Sequence, residues 1–155
     1  MKKNNSKLLN LALSKFATGL TVISINTGKE FVGKTVNSFA SLSLNPPLVL
    51  FSLDKKSTSL QLYKKADYIG INILSNSQKD LCEYFANNKP KWNKTNYFLT
   101  KTNVPMIKNS VANFDCEKLK IISQGDHLIF ICKVTKIKID KNKKSLIYLN
   151  SKYIL

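Results

Sequence analysis

Arginine is missing from this 155-residue chain: all 25 basic residues are lysine, set against nine acidic residues and a single histidine, for a formal charge of +16. Readers of nucleic-acid sequence favour arginine for its bidentate fork on guanine and phosphate. No nucleic-acid motif is present, so a nucleic-acid-binding barrel is suggested by charge alone. The lysines read either as a solvated coat or as an attraction for anionic ligands such as phosphorylated cofactors. Cysteine is scarce and odd in number (Cys82, Cys116, Cys132), with no Cys-x-x-Cys pair, which argues against a disulfide framework and against a zinc or iron site. That usage fits a reducing, cytoplasmic setting.

Long apolar runs are lacking too. In the second half of the chain the longest is residues 128–132, far short of the roughly 20 residues that a membrane span needs. The lysine-bearing N-terminus has no continuous apolar stretch and no small-residue cleavage site, so no signal peptide is expected. Gly-x-Gly-x-x-Gly after a strand, the P-loop and Gly-x-Ser-x-Gly are all absent, which removes Rossmann, NTPase and α/β-hydrolase readings. With so few acids and one histidine, hydrolytic acid–base chemistry has few candidates. Hydride transfer carried by a bound cofactor asks much less of the side chains.

What is present is mostly short strands. Residues 6–16 place Leu8, Leu9, Ala12, Leu13 and Phe16 at helical spacing, with Ser6 as the expected cap. Residues 21–25 and 31–36 read as a hairpin turning around Gly28. Residues 39–44 alternate like an edge strand stopped by Pro46-Pro47, and residues 48–53 form an apolar strand expected to be central. A helix over 59–65, a strand over 68–74 and a helix over 77–85 capped by Ser75 or Ser77 follow. Residues 87–113 show no sustained periodicity and read as a long loop whose exposed aromatics Trp92, Tyr97 and Phe98 either cover a ligand or a partner subunit or only pack under the loop. Two strands, 114–123 and 127–139, join through a tight turn, and 146–148 is a last short strand. One mainly β domain over 1–155 is expected: a closed antiparallel barrel with peripheral helices.

Two segments carry possible chemistry. Residues 33–54 collect Thr35, Asn37, Ser38, Ser41 and Ser43 between strands, either as an ordinary polar edge or as a rim for the polar edge of a flat heterocycle. Residues 55–59 place Ser57 and Thr58 after two lysines where a helix should begin, either as a plain N-cap or as a phosphate site. One planar ligand with a phosphate tail would reach both.

At this combination the chain resembles the flavin reductase-like family, the FMN-binding split-barrel enzymes that include reductase components of two-component flavin-dependent monooxygenases. The likeness runs from Phe16-Ala17-Thr18-Gly19 to Tyr153, through 33–54, Ser57-Thr58, Val104-Pro105-Met106-Ile107 and Gly125-Asp126-His127. It implies a Greek-key split barrel, a homodimer with the flavin near the subunit junction, FMN or FAD as flavin and NADH or NADPH as hydride source. It also implies site residues. Lys34, Thr35, Val36, Asn37 and Ser38 would line the isoalloxazine and ribityl chain. Ser52 and Leu53, with Ser57 and Thr58, would hold the ribityl phosphate. Phe85, with a lysine among 89–91 such as Lys91, would close over the flavin. His127 would meet the nicotinamide cofactor, or else serve as a structural histidine beside its turn.

Three departures stand out. Lys34 occupies a position that is usually apolar in that family, so its side chain is expected to point away from the ring. Cys132 replaces a small residue, and residues 149–152 lack the usual glycine and basic pair. The reading is therefore a flavin reductase, with an oxygenase as the expected recipient of reduced flavin; the alternative is an FMN-binding split-barrel flavoprotein with another role, in electron transfer or as a pyridoxamine-phosphate-oxidase-like oxidase.

Overall fold

The computed structural model describes residues 3–87 and 91–155. The chain runs α1 (Lys3–Ser14), β1 (Thr18–Gly19), β2 (Thr21–Asn26), β3 (Phe31–Val36), β4 (Ala40–Leu44), β5 (Pro47–Asp54), α2 (Leu60–Lys65) and β6 (Tyr68–Ile73). A 3-10 turn (Asn76–Gln78) leads into α3 (Lys79–Ala86), and another (Trp92–Lys94) into β7 (Tyr97–Leu99) and β8 (Pro105–Ile107). Then come β9 (Ala112–Gln124), β10 (His127–Ile139), β11 (Ile147–Leu149) and β12 (Lys152–Ile154).

Seven strands form one antiparallel sheet in the order β3-β2-β6-β9-β10-β5-β4. Inward residues from both ends of that order share one apolar cluster: Val36 of β3 meets the group holding Val49, Phe51 and Leu53 of β5. The sheet must therefore wrap around its own inner face. Phe51 and Phe130 stack there at 4.9 Å between centroids. α2 plugs the interior, with buried Tyr63 donating its hydroxyl to the Ile23 carbonyl at 2.8 Å.

β2 is buried on both faces, because its other side meets a second cluster built from Val22, Leu74, Cys82, Phe85, Trp92 and Ile107. Between the two clusters sits Asn72, fully buried. Its amide nitrogen donates to Val22 O at 2.9 Å and Ser24 Oγ at 3.1 Å. Its oxygen accepts from Ile107 N at 2.9 Å and Asn113 Nδ2 at 2.8 Å. One side chain thus ties β2, β6, β8 and β9 together.

Several expectations need correction. The helix at the N-terminus starts at Lys3, so Ser6 lies within it and does not cap it. Its apolar positions are exposed, Leu8 at 67% and Phe16 at 74%. Strand β5, expected to be central, is indeed paired on both sides, between β10 and the edge strand β4. The barrel ladder does not close, since β3 and β4 stand at opposite ends of the hydrogen-bonded order. The stretch 87–113 is no plain loop: beyond the undescribed 88–90 it holds the β7–β8 hairpin and a buried Trp92. Its strands are only three residues long, too short to show period-2 alternation. β12 also went unanticipated.

Gly28, at φ +80°, makes the β2–β3 turn, where its N–H donates to Asn26 Oδ1 at 2.8 Å. All three thiols are buried and unpaired. Burial pushes Cys132 up to about 12 and Cys116 upward as well. Cys82 also rises by burial, opposed by hydrogen bonds from Tyr153 and Thr35. Among the described residues no helix is long and apolar enough to cross a membrane.

Asn72→Ala should orphan several buried groups at once. The expected loss is at least about 2 kcal/mol, given roughly 1–3 kcal/mol for each stranded buried partner, and urea denaturation measures it.

Candidate functional site

Strand β3 carries the site on two faces. Antiparallel pairing sets Lys34 opposite Ile23, Val32 opposite Ile25 and Val36 opposite Thr21. Ile23, Ile25 and Val36 belong to the inner cluster, so Lys34 rises from the inner face of the sheet. Gly33 and Thr35 face the other way, toward α3. Thr35 Oγ1 donates to the Cys82 carbonyl at 2.7 Å. A Cβ built at Gly33 would lie 2.5 Å from the Phe85 ring, so only glycine lets that ring close against the strand. Phe85 is fully buried there.

A cleft of about 640 Å³ opens between β3, the start of α2 and the segment after α3. That lies within the roughly 300–1,000 Å³ of small-molecule sites. Lys34, Thr58, Ser59, Leu62, Lys91 and Trp92 are among its lining residues. The structure therefore brings three residues singled out in the sequence, Lys34, Thr58 and Lys91, to one opening. Lys91 is exposed; its backbone N–H donates to the Tyr84 hydroxyl, and its carbonyl accepts from it, each at 2.8 Å. Lys89 falls outside the described residues.

Beside the cleft runs a polar rim. Ser38 Oγ donates to the Ser52 carbonyl and accepts from the Ser52 N–H, both at 3.0 Å. This hydroxyl bridges the β3–β4 link to β5 where the ladder itself does not. Asn37 is exposed on the rim, while Val36 and Leu53 are spent in the core. Ser52 projects outward, two positions before Asp54, and Asp54 pairs with His127.

The loop after β5 links rim and cleft. Ser57 N donates to Asp54 O at 2.9 Å, and Ser57 Oγ lies 3.3 Å from Ser59 Oγ. Thr58 makes no hydrogen bond to a described residue. The expected helix start is displaced: α2 begins at Leu60, after Ser59, and is only six residues long. Few aligned peptide dipoles stand behind Ser57 and Thr58, so their hydroxyls matter more than a helix field. Lys55 lashes this loop to the β9–β10 turn, its N–H on Asp126 O at 2.9 Å and its Nζ on Gly125 O at 2.6 Å.

His127 Nδ1 lies 2.7 Å from Asp126 Oδ1. That hydrogen bond, with the histidine's charge, holds the Asp126 carboxyl below the usual carboxylate range. With Nδ1 engaged by the carboxylate, Nε2 is the ring nitrogen left for a ligand. Ser59 and Leu62 were not anticipated as lining residues, whereas Trp92 was one of the loop aromatics expected either to cover a ligand or to pack under the loop; it is buried and lines the cleft. The one signal for Trp92 was a lone tryptophan in a lysine-rich stretch; its Nε1 is buried without a described partner.

Flavin is the group such a site suggests, and the residues fit it: an open cleft with cationic and hydroxyl lining lies next to a rim whose backbone is pinned. Among the described residues no cluster of three or more His, Cys, Asp or Glu could hold a metal ion.

The family model for the flavin reductase like domain matches residues 13–154. FMN reductase (NADH) SmoA of Agrobacterium fabrum is 36% identical over 132 residues, covering 85% of this chain and 76% of its own. The flavin reductase of Pseudomonas putida is 32% identical over 143 residues, covering 91% and 84%. The solved NADH:FAD oxidoreductase SgcE6 of Streptomyces globisporus superposes at a TM-score of 0.94 with 25% identity, covering 100% of this chain and 95% of that one. A second structure of it holds NAD and FAD fragments.

Ser38→Ala should cost about 1 kcal/mol by stranding both Ser52 backbone groups. Hydrogen exchange of the Ser52 amide is the local readout: it should quicken well beyond the global change.

Proposed function

The chain belongs to the flavin reductase-like domain family, and from that premise we propose that it is an NAD(P)H-dependent flavin reductase acting on FMN or FAD. The observation carrying this reading is the cationic, hydroxyl-lined cleft beside the Ser38–Ser52 clasp, in a chain similar from end to end to an NADH:FAD oxidoreductase. A flavin held here by the 34–38 backbone and by Ser52, Ser57 and Thr58 would supply the hydride-accepting chemistry, with a nicotinamide nucleotide as the hydride source. The protein's share is placement, and well-placed reaction partners gain large effective molarities.

Each residue's task follows from its position. The backbone of 34–38, pinned by Ser38, lines the ring, and the exposed Asn37 amide meets its polar edge. Ser52, Ser57 and Thr58 take the ribityl chain and phosphate. Phe85 acts through Gly33, holding β3 from behind, and Lys91 guards the mouth. His127 turns Nε2 toward the nicotinamide nucleotide, while Asp126 fixes its ring. Excess lysine raises the local concentration of dianionic nucleotides.

A homodimer of this single domain is part of the proposal, as are the family's split-barrel topology and a cytoplasmic site of action. Exposed apolar side chains support the dimer: Leu8, Leu9 and Leu13 on α1, Phe16 just after it, and Leu44 at 94% exposure on β4. Delivery of reduced flavin to an oxygenase fits the relatives named as reductase components of monooxygenases.

Purified protein should oxidise NADH or NADPH when FMN or FAD is added, followed by loss of nicotinamide absorbance. No consumption with either flavin and either nucleotide would overturn the proposal and leave a flavoprotein of another role. His127→Ala should raise the KM for the nicotinamide several-fold and spare flavin affinity. Equal loss of both marks the residue as structural.

A further inference from the structure

Lys34 is an odd side chain for its place. Its neighbours on the same face of β3, Val32 and Val36, pack with the inner cluster, as does Ile23 directly opposite. A lysine half-buried there keeps its stem on apolar surface and must bring its ammonium out at the edge. The way out is the cleft, where Thr58, Ser59 and Leu62 face it across the opening.

No carboxylate among the described residues comes within 4 Å of that ammonium. The undescribed residues 1, 2 and 88–90 contain no acid either. Glu30 lines the same cleft without pairing with it. A cation at the cleft with no ion partner of its own, set opposite a hydroxyl without a described partner, is arranged for an anion that arrives with the ligand.

We propose that Lys34 is the phosphate ligand that makes this reductase select phosphorylated flavins over riboflavin, with Thr58 as its hydroxyl partner. The assignment rests on the flavin-reductase reading and replaces a ring-lining role for the lysine side chain. The ring side needs only the backbone of 34–38, whereas the phosphate is what an ammonium at this mouth can recognise.

The test compares equilibrium binding of FMN and of riboflavin, by quenching of flavin fluorescence, in the wild type, Lys34→Met, Lys34→Arg and Lys7→Met. Lys7 is an exposed lysine on α1 and controls for the change in net charge. The preference for FMN over riboflavin should fall about tenfold or more in Lys34→Met, as expected for losing a hydrogen bond to a charged group. It should survive within a few-fold in Lys34→Arg and in Lys7→Met. Methionine suits a face shared with Val32 and Val36, so this variant should fold. The wild type offers a second readout, since its FMN affinity should weaken with added salt while its riboflavin affinity holds. An unchanged FMN preference in Lys34→Met, or tighter binding of both flavins, overturns the assignment alone. Failure of the wild type to bind either flavin overturns the reductase reading with it.

Discussion

The Ser38 hydroxyl takes and gives one hydrogen bond at the same residue of β5, and the site depends on that double contact. The wrapped sheet leaves β3 and β4 at the two ends of its ladder, so no run of backbone pairs holds the link between them. Without a bridge, residues 37–39 would be held only at their two ends, by Val36 in β3 and by Ala40 paired with Leu50 of β5. A hydroxyl both donates and accepts, so one serine satisfies the N–H and the carbonyl of Ser52 together. The rim is thereby held at a defined height over the core, and Asn37 is presented from a fixed backbone. Preorganisation of this kind is what a reaction governed by placement requires.

Much of this was legible in the sequence where the local signal was strong. The β2–β3 hairpin shows alternation around a glycine turn, and residues 114–139 show two long apolar-polar strands around Gly125. The hairpin at 97–107 was not legible, because three-residue strands carry no usable period, and its placement shows only in long-range packing such as the edge contact of Tyr97 with Trp92 and the burial of Met106 and Ile107. At the N-terminus the helical spacing was right, but Ser6 has the chemistry of a cap without its position. A cap is set by where the chain stops being extended, and nothing in the residue type says where that is.

Site residues divide along the same line. Polar character marked Asn37, Ser38 and Thr58 as candidates from composition and spacing, whereas Ser52 entered only through the family resemblance. Which face each one takes is a matter of pairing. Lys34 shows this best: a departure from the family's apolar preference was visible, yet only its register with Ile23 puts it on the inner face. Likewise, Gly33 looked like any strand glycine until the Phe85 ring was found against it. The lysine excess, ambiguous as a sum, becomes informative at Lys34, where a half-buried lysine lines the cleft with no carboxylate partner among the described residues.

The three thiols carry a further consequence. Reduced flavin released in air passes electrons to dioxygen, and the peroxide that results attacks thiolates. Here Cys82, Cys116 and Cys132 are all shielded and kept in the thiol form by burial. A catalyst that generates its own oxidant would thus work without an accessible thiolate target, and its lifetime in aerated solution would be set by loss of fold before loss of thiol.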